Sequence, residues 1–358
     1  LNFLRNIKFN QSIKEALNLS MLRDKKVVLM GLGVTDPKGI FGTTKDLEKK
    51  FGSSRVIETP TSENAITGIA LGAAIKGLRP VLTHQRVEFA LLSMEQIINQ
   101  LSKWHFMSAG KQKVPIVIRM IIGKGWGQGP QHSQSLEVLF SHIPGLKVVA
   151  PSNAYDAKGL MIQSIRDNNP VIFFEHRWVH DIYGNVPKKS YNIKIGKAKT
   201  IKKGKDITIV SFSEALVQVM RLYKFLKING INPEIIDLRT LRPIDKNTII
   251  NSVKKTGKLL VVDNSWTTYG VSAEIMSIVT ESIFKKLKKS PQRIGIKNLL
   301  IPSTRELAKH CYLDSKNILE KIVSITGKKI NKKKKNLFLK EMTTHDSDIP
   351  YKDFKGPF

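Results

Sequence analysis

Residues 113–132 read KVPIVIRMIIGKGWGQGPQH, a nearly continuous apolar run followed by a loop with four glycines at alternate positions. The run Pro115–Ile122 is apolar on both of its alternating faces, as strands covered on both sides of a parallel sheet require. Glycine tolerates positive φ and lets a backbone approach a ligand closely. Because open α/β sheets bind ligands at the carboxyl ends of their strands, this stretch predicts a parallel sheet with a binding loop after the strand.

Similar short apolar runs alternate with helix-like segments along most of the chain, and this alternation predicts an α/β fold. The other predicted strands are Val27–Met30, Pro80–Leu82, Lys147–Ala150, Val171–Phe174, Ile207–Phe212, Pro233–Ile236 and Leu259–Val262. The predicted helices are Ser12–Arg23, Glu63–Lys76, Ala90–His105, Ser135–His142, Ala154–Arg166, Glu214–Ile228, Asn247–Lys255 and Val271–Phe284.

The alternation is interrupted at a polar, lysine-rich segment, which predicts two domains. The first domain is expected at 1–187 and a smaller second domain at 204–326, with a linker at 188–203. Residues 327–358 are basic and polar and include Pro350 and Pro357. They predict a mobile tail or a segment draped over a partner.

Composition limits the classes of function. A formal net charge of +30 is typical of a protein whose binding partner is a polyanion or an anionic surface. The lysines are spread along the chain without a nucleic-acid-binding signature, so a solvated surface and no nucleic-acid partner are expected. No stretch has the roughly 18 apolar residues of a spanning helix, so no membrane role is expected. The single cysteine, Cys311, predicts a reducing compartment, namely the cytoplasm or, in a eukaryote, the mitochondrial matrix.

Two polar residues are candidate functional groups. His132 ends the glycine-rich loop, and an imidazole titrating near neutrality can transfer protons. A flexible loop with an exposed histidine explains the same spacing equally well. Glu63 opens a predicted helix, where an acidic residue also interacts favourably with the helix dipole by about 0.3–1 kcal/mol. The residues alone leave both alternatives open.

Eight ordered motifs resemble the beta chain of the first component of pyruvate and branched-chain 2-oxoacid dehydrogenases, in the transketolase superfamily. The resemblance extends over roughly residues 10–325. It implies a parallel-sheet pyrimidine-binding domain, a smaller α/β transketolase C-terminal domain and an α2β2 heterotetramer. The motifs are Glu58–Glu63 (ETPTSE), Gly77–Pro80 (GLRP), Glu95–Asn99 (EQIIN), Gly127–Gln134 (GQGPQHSQ), Ile143–Val149 (IPGLKVV), Tyr155–Leu160 (YDAKGL), Arg166–Pro170 (RDNNP) and Asp237–Pro243 (DLRTLRP).

The resemblance implies an enzyme subunit that uses thiamine diphosphate at a site shared with an alpha subunit. The reaction it implies is oxidative decarboxylation of a 2-oxo acid, with acyl transfer to the lipoamide of an acyltransferase. The alpha chain of the family holds magnesium through a Gly-Asp-Gly motif, which this sequence lacks.

Family roles are implied for particular residues of this chain. Glu63 matches the glutamate that hydrogen-bonds the pyrimidine ring and favours the tautomer that activates the coenzyme. Phe89 matches the aromatic residue packed on that ring, and Leu92 stands beside it. His132 matches a histidine near the reacting carbon. A monovalent cation such as potassium is implied at positions where backbone carbonyls are the main ligands, which are Ile116, Ser164, Ile165, Asp167 and Asn169.

One stretch departs from the family pattern. Residues 81–88 read VLTHQRVE in place of an acidic-aromatic stretch, and Leu92 replaces a glutamine usual in pyruvate-type members. His84, Gln85 and Arg86 suggest a pocket for a more polar or anionic substrate, such as a sugar-derived oxo acid; a neutral rearrangement at a domain interface is the alternative. The departure leaves a split transketolase-like enzyme, which transfers a two-carbon ketol unit, as a second hypothesis. A non-catalytic scaffold subunit is the third, and retention of Glu63, Phe89 and His132 argues against it.

Overall fold

The computed structural model describes residues 4–124 and 127–342, and within these ranges the chain forms three β-sheets flanked by helices. The strands are β1 (Leu4–Lys8), β2 (Val27–Gly31), β3 (Val56–Glu58), β4 (Arg79–His84), β5 (Val117–Ile122), β6 (Lys147–Val149), β7 (Val171–His176), β8 (Tyr183–Pro187), β9 (Lys199–Lys202), β10 (Ile207–Ser211), β11 (Pro233–Asp237), β12 (Thr240–Arg242), β13 (Leu259–Trp266) and β14 (Gln292–Ile296).

The helices between these strands vary from single turns to four turns. They are α1 (Phe9–Arg23), α2 (Gly39–Gly42), α3 (Leu47–Phe51), α4 (Glu63–Ile75), α5 (Val87–Ala90), α6 (Trp104–Met107), α7 (Glu137–His142), α8 (Ala154–Arg166), α9 (Ser213–Ile228), α10 (Lys246–Thr256), α11 (Val271–Ile283), α12 (Arg305–Ala308), α13 (Ser315–Thr326) and α14 (Lys332–Met342). None of the helices in the described ranges is long and apolar enough to cross a bilayer.

The larger sheet has the strand order β12-β6-β7-β5-β4-β2-β3, and its pairs are parallel except for β12 with β6. The second sheet has the order β14-β13-β10-β11-β9 and is parallel except at its edge strand β9. Strands β1 and β8 form a separate antiparallel pair. The predicted α/β fold with two parallel-dominated sheets is confirmed.

The two faces of the larger sheet bury alternate residues of each strand, which explains why the strand sequences are apolar throughout. In β7, Ile172 and Phe174 lie in one core with helix α4. Val171 and Phe173 lie in the other core, with helices α1 and α8. Because side chains alternate across a strand, both faces require apolar residues.

The second half of the chain contributes to both sheets. Strand β12 pairs antiparallel with β6, so it completes the edge of the larger sheet. Strand β9 lies inside the predicted linker 188–203 and pairs with β11 in the second sheet. Lysine-rich edge strands are common because exposed charge prevents further strand pairing. The polar composition of this segment therefore predicts a linker where the structure has a strand.

The predicted helix Ala90–His105 is divided into shorter pieces. After α5, residues Leu91–Ser93 form a 3-10 turn, Gln96–Leu101 form a π-helix, and α6 follows. The Ser93 hydroxyl donates to the Ala90 carbonyl at 2.8 Å. A π-helical turn contains one extra residue, so apolar spacing alone does not reveal it.

The described part of the predicted tail is ordered rather than mobile. Helix α14 packs on the second domain, where the Phe338 ring stacks on Phe225 with centroids 4.1 Å apart and Leu339 is buried. Lys335 also lies 3.5 Å from Glu320. The expectation of a mobile tail is wrong for Lys332–Met342, because apolar residues recur there at helical spacing among the lysines. Residues 343–358 lie outside the described residues.

Candidate active site

The three strands that precede the predicted functional residues lie in one parallel sheet and end at the same edge. Glu63 follows β3, Phe89 follows β4 and His132 follows β5. Strands β4 and β5 are neighbours, and β2 lies between β4 and β3. The carboxyl edge of the sheet therefore carries all three residues, as expected for a ligand site in an open α/β sheet.

Glu63 begins helix α4, and the cap residue Ser62 makes no side-chain hydrogen bond to the helix. The Thr67 hydroxyl donates to the Glu63 carbonyl at 2.7 Å and lies 3.3 Å from Nε2 of His84. Burial lowers the pKa of His84 to about 4, so this imidazole is neutral at pH 7. Among the described residues no hydrogen bond or ion pair uses the Glu63 carboxylate, which leaves it available to a ligand.

Phe89 and His132 are brought together by the structure. Their ring centroids are 5.5 Å apart and the ring planes meet at 70°, an edge-to-face contact. The Nδ1 atom of His132 is buried and has no hydrogen-bond partner within the described ranges. A buried ring nitrogen without a partner is costly, so this atom is suited to a group that arrives with the ligand.

The glycine-rich loop that carries His132 is closed at its base by a hydrogen bond from the Gly123 amide to the Gln134 carbonyl, 3.0 Å long. Gly123 has a φ of 91°, and a Cβ atom there would lie 2.0 Å from Nε2 of His176. Only glycine fits such a position. Two loop residues, Gly125 and Trp126, lie outside the described residues.

The stretch that departs from the family pattern makes internal contacts. His84 is buried, and Nε2 of Gln85 donates to the Leu32 carbonyl at 3.0 Å. Nη1 of Arg86 donates to the His132 carbonyl at 3.2 Å, and Glu88 Oε1 accepts from the Gln134 amide at 2.8 Å. Gln85, Arg86 and Glu88 thus bind neighbouring loops of the same chain, and His84 contacts helix α4.

Leu92 lies at the surface. It belongs to the 3-10 turn after α5 and is 68% exposed. Exposed leucines normally occur singly, but Leu91 beside it is also partly exposed. The turn therefore presents apolar surface at the same edge as Phe89.

The residues predicted to surround a monovalent cation lie around the end of helix α8. The carbonyls of Ile165 and Asp167 converge on one atom, Nη1 of Arg79, at 2.9 and 3.0 Å. Oδ2 of Asp167 lies 2.6 Å from the Lys147 ammonium. The Ile116 carbonyl accepts from the Val171 amide, and the Ser164 carbonyl accepts from the Asp167 amide. Asn169 donates its amide to the Asp167 carboxylate.

A buried polar cluster between the domains was missed at the sequence level. Lys124 lies 4.2 Å from the centre of the Trp178 ring and 5.0 Å from that of Tyr312. Burial alone would raise the pKa of Glu214, but the charge of Lys124, together with His176, Arg221 and a hydrogen bond from Gln218, lowers that pKa. Nearby, burial and the Asp263 carboxylate raise the pKa of Glu137 to about 8. Nothing in the local pattern of either half of the chain indicates that these residues meet.

Comparison with known proteins identifies the family. The transketolase pyrimidine-binding domain matches residues 5–179, and the transketolase C-terminal domain matches residues 196–318. The chain is 38% identical to the pyruvate dehydrogenase E1 component subunit beta of Rickettsia felis, over 89% of this chain and 98% of that protein. The chain belongs to the family of these transketolase-like beta subunits.

Two further relatives extend the comparison. The beta subunit of acetoin:2,6-dichlorophenolindophenol oxidoreductase from Cupriavidus necator is 38% identical over 85% of this chain and 96% of that protein. A solved structure described as a split gene transketolase, an inactive beta4 tetramer, has a TM-score of 0.75 and 18% identity. It covers 90% of this chain and 100% of the solved chain, and at this identity it supports the fold alone. The predicted resemblance is confirmed.

Proposed function

We propose that this chain is the beta subunit of a thiamine diphosphate-dependent 2-oxoacid dehydrogenase similar to pyruvate dehydrogenase. With an alpha subunit it decarboxylates a 2-oxo acid oxidatively and passes the acyl group to the lipoamide of an acyltransferase. The main support is the contact between Phe89 and His132 at the sheet edge that also carries Glu63. The dehydrogenase names of the family relatives support the reaction class.

The residues present fit thiamine diphosphate, which supplies an electron sink when bound. The Glu63 carboxylate accepts or donates a hydrogen bond at the pyrimidine ring, and the Phe89 ring packs against an aromatic face. His132 holds or transfers a proton near the 2-oxo carbon through its ring nitrogen, which has no protein partner in the described residues.

Magnesium is assigned to the alpha subunit. Among the described residues no group of three or more His, Cys, Asp and Glu side chains could hold a metal ion. The proposal that the coenzyme diphosphate is bound by the alpha subunit rests on the Gly-Asp-Gly motif of the family's alpha chain, which this sequence lacks.

Exposed apolar surface supports the alpha subunit as a partner. Phe106 is 87% exposed and Tyr269 is 86% exposed. A cavity of about 880 Å³ between the domains is lined by Met94, Leu139 and Tyr269, among others. Large apolar patches on soluble proteins mark interaction sites. We assign this surface to subunit contacts in an α2β2 assembly.

A reducing compartment, cytoplasmic or mitochondrial, is part of the proposal. The thiol of the single cysteine, Cys311, is free and buried. A free thiol persists most readily where disulfides do not form.

The decisive experiment begins with the full chain purified with its partners from its native cells. We expect an alpha-type chain with a Gly-Asp-Gly motif and a lipoyl acyltransferase to co-purify. The complex should decarboxylate 2-oxo acids in a lipoamide-dependent assay, and Glu63→Gln should reduce this activity by at least about a hundredfold while the complex stays assembled.

The same preparation distinguishes the alternatives. Ketol transfer between sugar phosphates without lipoamide would contradict the dehydrogenase and establish the split transketolase. Full activity of the Glu63→Gln complex would contradict the role of Glu63 and favour a scaffold subunit. The matched control is Glu95→Gln, which changes an exposed acid just before the π-helix Gln96–Leu101.

A monovalent cation, potassium in the first instance, is proposed at the end of α8. The convergence of the Ile165 and Asp167 carbonyls supports it, because such oxygens are typical ligands of hard cations. The Arg79 guanidinium already satisfies one lone pair of each carbonyl. We therefore expect potassium to raise the melting temperature of Arg79→Met more than that of the unaltered chain.

Melting in potassium chloride and in choline chloride at equal ionic strength measures this effect. Arg5→Met is the matched control, because the Arg5 guanidinium donates to the Glu15 carboxylate rather than to converging backbone carbonyls. Equal melting temperatures of Arg79→Met in the two salts would contradict the cation site.

A further inference from the structure

Three residues after β4 contact His132 and its neighbours from one side. Arg86 precedes helix α5, and Glu88 and Phe89 lie within it. Val87 between them is fully buried, so it anchors this short helix in the core. Because β4 and β5 are adjacent parallel strands, the segment after β4 runs beside the loop after β5.

Both charged residues bind the backbone of that loop. Nη1 of Arg86 donates to the His132 carbonyl at 3.2 Å. Oε1 of Glu88 accepts from the Gln134 amide at 2.8 Å. The two bonds flank Ser133 and fix the chain on both sides of it, while the Phe89 ring contacts the imidazole itself. Hydrogen bonds with one charged partner are roughly twice as strong as neutral ones.

The electrostatics agree with this arrangement. Burial raises the pKa of Glu88, and the Gln134 amide and the Arg86 charge oppose that rise. Burial lowers the pKa of Arg86, and the Glu88 charge opposes that fall. Two half-buried ions of opposite sign therefore favour each other's charged form where both contact the loop.

Gln128 and Gly129, earlier in the glycine-rich loop, contact other elements. Nη1 of Arg177 donates to Gln128 at 2.8 Å, and a Cβ atom on Gly129 would meet the Ser303 hydroxyl at 2.5 Å. Those contacts lie at least three residues before His132. The orientation of the imidazole therefore depends on the segment after β4.

We propose that Arg86 and Glu88 are positioning residues, which hold the backbone around His132 so that its imidazole faces the reacting carbon. This role differs from both a substrate pocket and a neutral rearrangement at a domain interface. It rests on the proposed function only in assigning chemistry to His132, since the contacts themselves are independent of the reaction.

Hydrogen exchange of the full chain tests the contact directly. In Glu88→Ala we expect the Gln134 amide to exchange at least about tenfold faster, because it loses its acceptor. Glu88→Gln retains an acceptor oxygen and should restore most of the protection. Arg86→Met should speed amide exchange across 132–134, and Arg86→Lys should restore part of the protection. The exposed-site control, Glu95→Ala, should leave this region unchanged.

Kinetics of the reconstituted complex test the consequence. We expect Glu88→Ala to lower kcat about 10- to 100-fold with little change in KM, and Glu88→Gln to recover most of the loss. A raised KM with unchanged kcat would mean that these residues bind substrate, and would overturn the proposal. Unchanged exchange at Gln134 in Glu88→Ala would also overturn it. If the unaltered complex lacked 2-oxo acid decarboxylation, the proposed function would fail while the exchange result would still decide the contact.

Discussion

At the scale of single residues, Glu137 is a carboxyl group whose environment differs strongly from water. It is fully buried in the first turn of α7, and neither oxygen has a hydrogen-bond partner in the described ranges. Burial, with a smaller effect of Asp263, raises its pKa to about 8. The group is therefore protonated at neutral pH in the folded chain and ionised in the unfolded chain.

This difference predicts how stability depends on pH. Below the pKa that Glu137 has in the unfolded chain, the carboxyl group is protonated in both states and its contribution to the free energy of unfolding is fully present. This contribution falls as pH rises, and it is lost as pH passes about 8. We expect the free energy of unfolding to decline between about pH 6.5 and 8, and the slope to be smaller in Glu137→Gln. The difference should reach a few kcal/mol at pH 8. Below about pH 6.5 the buried His84 and His176, whose pKa values burial lowers to about 4 and about 3, oppose this decline, because they take up protons only on unfolding.

Urea titrations of both chains at several pH values measure the slope. Asp237, whose pKa burial raises to about 7, adds a slope of the same sign, so Glu137→Gln should flatten the curve only in part. Identical slopes in the two chains would show that Glu137 is ionised in the folded state.

The same scale shows what the sequence could reveal about the site. Glu63 and His132 were predicted from motifs that resemble the family, and Phe89 was predicted from its match to the family although the residues before it depart from the pattern. The contacts of Arg86 and Glu88 were not found, because they join residues 46 positions apart in the chain. Such contacts depend on strand order, which residue spacing does not specify.

At the scale of elements, periodicity predicted the longer helices and strands well. Helix α8 has the predicted bounds, Ala154–Arg166, because its N-cap Asn153 and the Pro170 after it delimit it clearly. The short strands β9 and β12 were missed because each has only three or four residues and depends on a partner strand. Local pattern is weakest where pairing with a distant strand decides the conformation.

Helix α14 predicts a cost for removing the end of the chain. Phe338 and Leu339 bury apolar surface against α9 and its neighbours, so Phe338→Ala should lower the free energy of unfolding by about 2 kcal/mol. Deletion from Lys328 onward should destabilise the chain at least as much. Denaturant unfolding measures both effects.

The matched control is Leu337→Ala, because Leu337 lies on the opposite, exposed side of the same helix. Its effect should stay within about 0.5 kcal/mol. If the truncated chain were as stable as the unaltered chain, this segment would be a solvated tail and the packing of α14 would be contradicted.

At the scale of the whole molecule, buried charges connect the two domains. Arg239 donates to both carboxylate oxygens of Asp156, at 2.6 and 3.0 Å. Both residues are buried, and Asp237 lies close enough for the Asp156 charge to raise its pKa. The pair lies where β12 joins the larger sheet, so the domains should unfold together.

Arg239→Met should lower the free energy of unfolding by about 3–5 kcal/mol, because it leaves a buried carboxylate unpaired. Adding Asp156→Asn should recover part of that loss. Circular dichroism and tryptophan fluorescence, to which both domains contribute through Trp178 and Trp266, should report one transition in the unaltered chain. Two separate transitions would contradict the coupling of the domains.

The position of β12 has a consequence for synthesis on the ribosome. Strand β6 stays without its outer neighbour until β12 has been translated, roughly 90 residues later. At about 5–20 residues per second this interval lasts several seconds. An unpaired strand edge invites association with other chains, so the nascent first domain passes through a period of exposure to aggregation that the finished protein does not have.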